Sequence, residues 1–320
     1  MNVRNTSVGL VIVAVLSVAL ALWYLGHSTT RGHATAPSLQ TEGGIAAAEA
    51  TKKIDAKKPR IDQVAAGSTS VWSGAESYEA YERARNLNDL VNDLKAAAEG
   101  GDPTSQVVYA KALSECAMLS ADPFYLDNVP IMNEQLKKNG RGIASTKLVN
   151  RYRDRCAELA STRKISVAEI NAMWRKAEAS GEPVAVAMAF ARTAPGLKPD
   201  ERKDGILEIL RSGNPYAINE IADLEGQARD SSYGSYAGTT EDKYAWQFAA
   251  CDLGMDCSSD SYIVVRSCLV LTLCGEGDYR TIVRDSVLSP GQYQHVLDLE
   301  RQILIGLKTG DLESVFFAHQ

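Results

Sequence analysis

Few side chains in this sequence are of types that do chemistry at neutral pH, and their spacing forms no known catalytic pattern. There are four histidines. His27 and His33 fall in a polar stretch and His319 stands beside the C-terminus, which leaves His295 as the one imidazole in a regular, periodic segment. A Ser-His-Asp site would need His295 as its base, and no Gly-x-Ser-x-Gly elbow accompanies it. No His-Glu-x-x-His, phosphate-binding loop or dinucleotide fingerprint occurs either. The six cysteines, Cys116, Cys156, Cys251, Cys257, Cys268 and Cys274, lack a Cys-x-x-Cys pair, and their spacing is not that of a zinc site. No metal or cofactor is expected. Carboxylates remain. Of 40 acidic residues, four lie before residue 76 and 36 after it. A pair distant in sequence can converge to act as general acid and base, but the sequence does not choose the pair.

The elements that position these residues announce themselves by one repeated phrase. Gly101-Asp102-Pro103, Gly181-Glu182-Pro183 and Gly213-Asn214-Pro215 each separate two helix-like stretches. Glycine accepts the left-handed conformation that ends a helix, Asp or Asn caps the next one, and proline fits its first position. Glu182 is a poor cap by type, so the middle turn is expected to be the weakest. Around the turns, apolar residues recur at helical spacing: Tyr78, Tyr81, Leu87, Leu90, Val91 and Leu94 up to Gly100; Leu148, Tyr152, Cys156 and Leu159; Ile170, Met173 and Trp174; Ile206, Ile209 and Leu210; Val296, Leu297, Leu299, Ile303 and Leu304. Residues 122–142 are looser, and Thr240 to Cys251 reads as a helix. Residues 262–274 are β-branched and nearly continuous; with Ser259 and Asp260 as caps and no partner strand elsewhere, they read as a central buried helix. Trp174 and Trp246 read as core. Residues 76–320 are therefore expected to be all-α, an irregular α-solenoid of stacked helical hairpins. The turns are 80 and then 32 residues apart, the second interval being close to a tetratricopeptide-type period of ~34.

Helix ends prune the cysteine pairings. With helices ending near Asp252 and restarting near Asp260, Cys251 and Cys257 span one turn, and Cys268 and Cys274 span a helix exit. Cys257 and Cys268 would lie ~15 Å apart along one helix, too far for a bridge. Local pairs are expected, and Cys116–Cys156 follows by elimination. Such usage points to an oxidising compartment.

Residues 8–26 form an uninterrupted apolar run of 19 residues with one Ser and no charge, the length a bilayer-spanning helix needs. Trp23 and Tyr24 suit its interface. A single-pass anchor is the expectation; a cleaved signal peptide, with Ala34-Thr35-Ala36 or Ala19-Leu20-Ala21 as its cleavage site, is the alternative. The domain reading is residues 1–7 cytoplasmic, 8–26 transmembrane, 27–75 a flexible linker and 76–320 a periplasmic helical domain. The cysteines place the body outside the cytoplasm. A bacterial envelope fits the body's lack of Asn-x-Ser/Thr sequons, the single one being Asn5-Thr6-Ser7. Residues 1–75 carry seven Lys/Arg against four acids, and the remainder 27 against 36, so a net charge of -6 divides into +3 and -9. An acidic body does not suggest nucleic-acid binding.

Ala249-Ala250-Cys251-Asp252-Leu253-Gly254-Met255-Asp256-Cys257 resembles the inter-helix turn of cysteine-rich Sel1-like repeat proteins exported by bacteria. The Gly-Asp-Pro turns likewise resemble the texture of Sel1 and tetratricopeptide repeats. The chain departs from the family in lacking its Leu-Gly-x-x-Tyr-x-x-Gly core. The resemblance implies an α-solenoid that binds other proteins or, in some members, cell-wall fragments, and it implies no catalytic residue. The leading expectation is a non-enzymatic interaction module or scaffold with an envelope protein partner, held at the inner membrane by its N-terminal helix. The alternative is an envelope enzyme such as a carboxylate-based cell-wall hydrolase, for which a deep cleft lined by two or more acids would speak. A steric chaperone like the lipase foldases is a third reading, but their Arg-x-x-Phe-Asp-Tyr motif is absent. The loop 230–240, rich in Ser, Tyr and Gly, is the candidate recognition segment, with Tyr233 and Tyr236 as its contact residues.

Overall fold

The computed structural model describes residues 74–317 apart from residue 229. The apolar run 8–26, most of the linker 27–75 and His319 lie outside the described residues. Among the described residues there are fourteen α-helices and no strand; a lone antiparallel bridge joins Gly142 to Cys274. No described helix is long and apolar enough to cross a membrane.

Helix α1 (Gly74–Arg83) and α2 (Leu87–Glu99) lead into α3 (Pro103–Ala121). A single helix from Tyr78 to Gly100 is expected from periodicity, yet the chain breaks at residues 84–86. Two side chains make the break. Asn86 caps α2 through the Asn88 N–H at 2.9 Å. Arg155, from α5 (Thr146–Thr162), donates to the carbonyls of Tyr81, Glu82 and Ala84, taking the place of the next helical turn.

Helix α3 is the hub. It is buried on most sides, from Ser105 through Val107, Val108, Tyr109 and Leu113 to Leu119, and packs against α1, α2, α5 and α6 (Val167–Ala179). A helix surrounded in this way loses its amphipathic stripe. The succession continues as α6 against α7 (Pro183–Thr193), α7 against α9 (Pro215–Glu225), α9 against α10 (Thr240–Asp252) and α10 against α13 (Pro290–Thr309). Helix α8 (Pro199–Arg211) packs on α7 and on the terminal α14 (Leu312–Phe317), which folds back along α13. Ala-rich faces let these helices approach closely: Ala245, Ala249 and Ala250 of α10 and Ala217 and Ala222 of α9 are all buried. Trp174 and Trp246 are core residues.

The repeated turns form as their residues dictate. Gly101, Gly181 and Gly213 have φ of 99°, 75° and 61°. In the first two turns the crossed bonds of a Schellman closure are present, Asp102 N–H to Ala97 O at 2.9 Å and Glu182 N–H to Ala177 O at 3.0 Å. Asp102 then caps α3 through the Ser105 N–H, and Asn214 caps α9 through Tyr216 and Ala217. The middle turn is not the weak one: Glu182 caps α7 by accepting the Ala185 N–H at 2.8 Å. Its longer side chain reaches back because burial against α1 holds it there.

Three disulfides pin the fold. Cys116–Cys156 joins α3 to α5, Cys251–Cys257 closes the turn after α10, and Cys268–Cys274 closes the exit of α11 (Tyr262–Leu269). The two short bridges are the local pairs that helix ends select, and Cys116–Cys156 is the pair left by elimination. Helix α11 is shorter than expected, ending at Leu269 rather than near Leu273. The Cys268–Cys274 bridge pulls the chain back, Thr272 takes φ 58°, and Val270 and Leu271 turn outward. Three further short helices are not legible by periodicity: α4 (Val129–Lys138) in the looser stretch, α12 (Tyr279–Ser286), and α14.

Candidate functional site

The three Gly-x-Pro turns converge on α1. Along that helix Tyr78, Glu79, Glu82 and Arg83 stand at neighbouring positions of one face. Opposite them lie Thr104 from the start of α3, Glu182 and Pro183 from the start of α7, and Asn214, Pro215 and Tyr216 from the start of α9. Leu253, Gly254 and Asp256, from the disulfide-closed turn after α10, complete the wall. Together they enclose a cleft of about 620 Å³, within the range of small-molecule sites.

One wall is aromatic. Tyr78 stacks on Tyr216 with ring centroids 4.6 Å apart and planes 15° from parallel. The Tyr78 hydroxyl donates to Glu182 Oε1 at 2.6 Å. Both phenols are pushed well up: burial is the main cause, followed for Tyr78 by the charge of Glu182 and for Tyr216 by those of Glu82 and Asp256. They therefore serve as neutral rings.

Four carboxylates line the cleft, and three are already committed. Glu79 pairs with Arg83 at 2.5 Å on the exposed rim. Glu182 caps α7 and holds Tyr78; burial raises its carboxyl, and these hydrogen bonds oppose the rise. Asp256 accepts the Ser258 N–H at 2.9 Å. Glu82 differs. It is 7% exposed, and its Oε2 has no hydrogen-bond partner among the described residues. Burial raises its carboxyl to about 7; Lys111 opposes, Asp256 adds to the rise, and Arg155 and Glu115 make smaller opposed contributions. Lys111 is itself paired with Glu220 at 3.0 Å and makes no hydrogen bond to the orphan oxygen.

Behind Glu82 lies a rigid support. Arg155 makes two bonds of 3.0 Å to the carboxylate of Glu115, which also accepts the Tyr81 hydroxyl at 2.9 Å. Tyr152 donates to the Glu115 carbonyl at 2.7 Å. The Cys116–Cys156 bridge joins the residues next in sequence to Glu115 and Arg155. Removing either partner of such a buried pair is costly, so α1 is fastened where it carries the cleft.

The sequence-predicted site residues lie elsewhere. Tyr233 is buried beneath Arg202, whose guanidinium sits 4.5 Å from the ring centre and pairs with Asp230 at 2.9 Å. It lines a smaller concavity of about 470 Å³ together with Glu220, Asp223 and Gln227. Tyr236 is half-buried, edge-on to Phe316 at 5.6 Å, and its carbonyl takes the Trp246 indole N–H. Both rings thus make contacts within the chain. His295 is exposed on α13 and lines neither concavity. No cluster of His, Cys, Asp and Glu among the described residues could hold a metal ion. Tyr78, Glu82, Tyr216 and Asp256 escaped sequence reasoning. The signal that could have found them is the repeated turn itself, because three helix starts of one type can share one edge of a stack.

No family model, curated protein or solved structure matches the chain. The cleft therefore carries the functional argument.

Proposed function

We propose that this chain is a non-enzymatic binding module, an irregular α-solenoid tethered by residues 8–26 and facing the periplasm, which holds part of an envelope partner in the cleft between α1 and the three helix starts. The observation that carries this reading is the state of the four cleft carboxylates. Three are occupied as caps or ion partners, and one, Glu82, presents a buried unpaired oxygen. Acid–base hydrolysis needs two free carboxylates of opposite role; a binding site needs one well-placed polar group in a shaped, partly aromatic cavity. The resemblance of residues 249–257 to Sel1-like turns supports the same reading.

One observation favours the enzyme alternative. A carboxyl at about 7 is what a general acid at neutral pH requires. The test separates the two. A photo-crosslinking residue is placed at Thr104, on the cleft wall, and in a second variant at Arg301, an exposed position that does not line it. Adducts with one recurring envelope protein from position 104 and not from 301 are expected. Equal capture from both positions, or from neither, refutes the binding module. Cleavage of cell-wall glycan by the native chain and not by Glu82→Gln would establish the enzyme.

A further inference from the structure

Resting on the binding reading, we infer that the cleft recognises a primary alkylammonium group, its charge set against Glu82 and its stem lying along the stacked rings of Tyr78 and Tyr216. The orphan Oε2 of Glu82 is an acceptor buried without a donor among the described residues, a state that costs free energy until a donor arrives. The surrounding charge selects the donor's sign. Glu79, Glu82, Glu182 and Asp256 line the cleft against Arg83 alone, and Arg83 is bound to Glu79. The other cations near Glu82 are held as well, Lys111 by Glu220 and Arg155 by Glu115.

The shape of the acceptor selects among cations. A guanidinium prefers two oxygens side by side on one carboxylate. Here a single oxygen of Glu82 is orphaned, and both oxygens of Glu182 are occupied by Tyr78 and Ala185. A compact ammonium with three freely oriented donors fits that demand. The Tyr78–Tyr216 stack adds neutral π faces, which attract a cation and tolerate an alkyl stem. Such an ammonium belongs either to a lysine side chain of a polypeptide or to a free small amine.

The experiment is calorimetric titration of the full-length chain with 1,5-diaminopentane, with a capped lysine peptide, and with 1,5-pentanediol as the neutral isostere, each in buffers of different ionisation enthalpy. Both amines are expected to bind and the diol not to. Near neutral pH, binding is expected to expel a fraction of a proton from Glu82, seen as a buffer-dependent heat. Glu82→Gln is expected to weaken amine binding roughly tenfold or more, the loss typical of one hydrogen bond to a charged group, and to abolish the proton release. Tighter binding of the peptide identifies a polypeptide source, and tighter binding of the diamine a small amine. Binding of the diol as strong as that of the diamine, unchanged affinity in Glu82→Gln, or no amine binding at all overturns the inference. If adducts from position 104 persist in that last case, the binding module stands and only the ligand chemistry falls.

Discussion

Replacing Glu82 by Gln should change how the stability of this protein depends on pH, with a sign and a window set by one buried carboxyl. In the unfolded chain Glu82 titrates near 4.5, and in the folded one near 7 because burial penalises its charge. Below the lower value both states carry the proton and the residue contributes nothing to the pH dependence. Between the two values the folded state holds a proton that the unfolded state has lost. Stability then falls as pH rises, by about 1.4 kcal/mol per pH unit. Above the upper value the penalty is complete, at about 3 kcal/mol. The residue is almost fully buried, so solvent screening removes little of this.

Glutamine has a similar shape but does not titrate. The stability of Glu82→Gln minus that of the native chain should therefore be flat at low pH, climb by about 3 kcal/mol through the window, and level off above it. Other raised carboxyls, Glu182, Glu225 and Glu300, titrate in both proteins and drop out of the difference. Urea unfolding with disulfides intact, followed by circular dichroism from about pH 4 to about pH 8, gives the two curves. Parallel curves would refute the reasoning, since Glu82 would then be solvated or paired in the folded state. A difference that shrinks with rising pH would show that a cation holds it ionised.

Four further outcomes follow from the packing. Glu115→Leu, which strands the buried guanidinium of Arg155, should cost about 3–5 kcal/mol. Arg155→Met also removes the donor to three main-chain carbonyls, so the double variant should stay destabilised but by less than the sum of the two single losses; strictly additive losses in a double-mutant cycle would contradict the pairing. Replacing Cys116 and Cys156 should cost about 4 kcal/mol, against about 2 for either short bridge, because the former spans 40 residues and the latter span six. With mild reductant, mass spectrometry should find alkylation first at Cys251 and Cys257, the one pair that is only half-buried. Gly142→Ala should lower stability by about 1–3 kcal/mol, because its new Cβ would stand 2.1 Å from the Cys274 carbonyl oxygen; an unchanged melting temperature would show that the bridge between residues 142 and 274 yields.

Local code was legible wherever a structure depends on residues near in sequence. Helix periodicity exposed α5, α6, α8 and α13, since burial of one face follows from spacing alone. The Gly-x-Pro turns could be read because glycine's positive φ, the cap and the proline act within a few residues. Disulfide pairing followed from helix ends. Where a distant group intervened, the reading failed. The break at residues 84–86 depends on Arg155, some 70 positions away. The cap on α7 depends on Glu182 being held against Tyr78. The end of α11 depends on a covalent bridge and not on propensity.

The cleft belongs to that second class. From composition and spacing alone come an all-helical body, its turns and its disulfides, because hydrophobic period, capping and chain geometry are local properties. That three helix starts meet α1 is a consequence of how α3, α7 and α9 stack. Which of the 36 acids in residues 76–320 are left buried with unpaired oxygens, Glu82 on the cleft wall and Glu225 outside it, is decided there too. The reason is physical: the cost of a buried charge depends on every group around it, and only the packed fold assembles those groups.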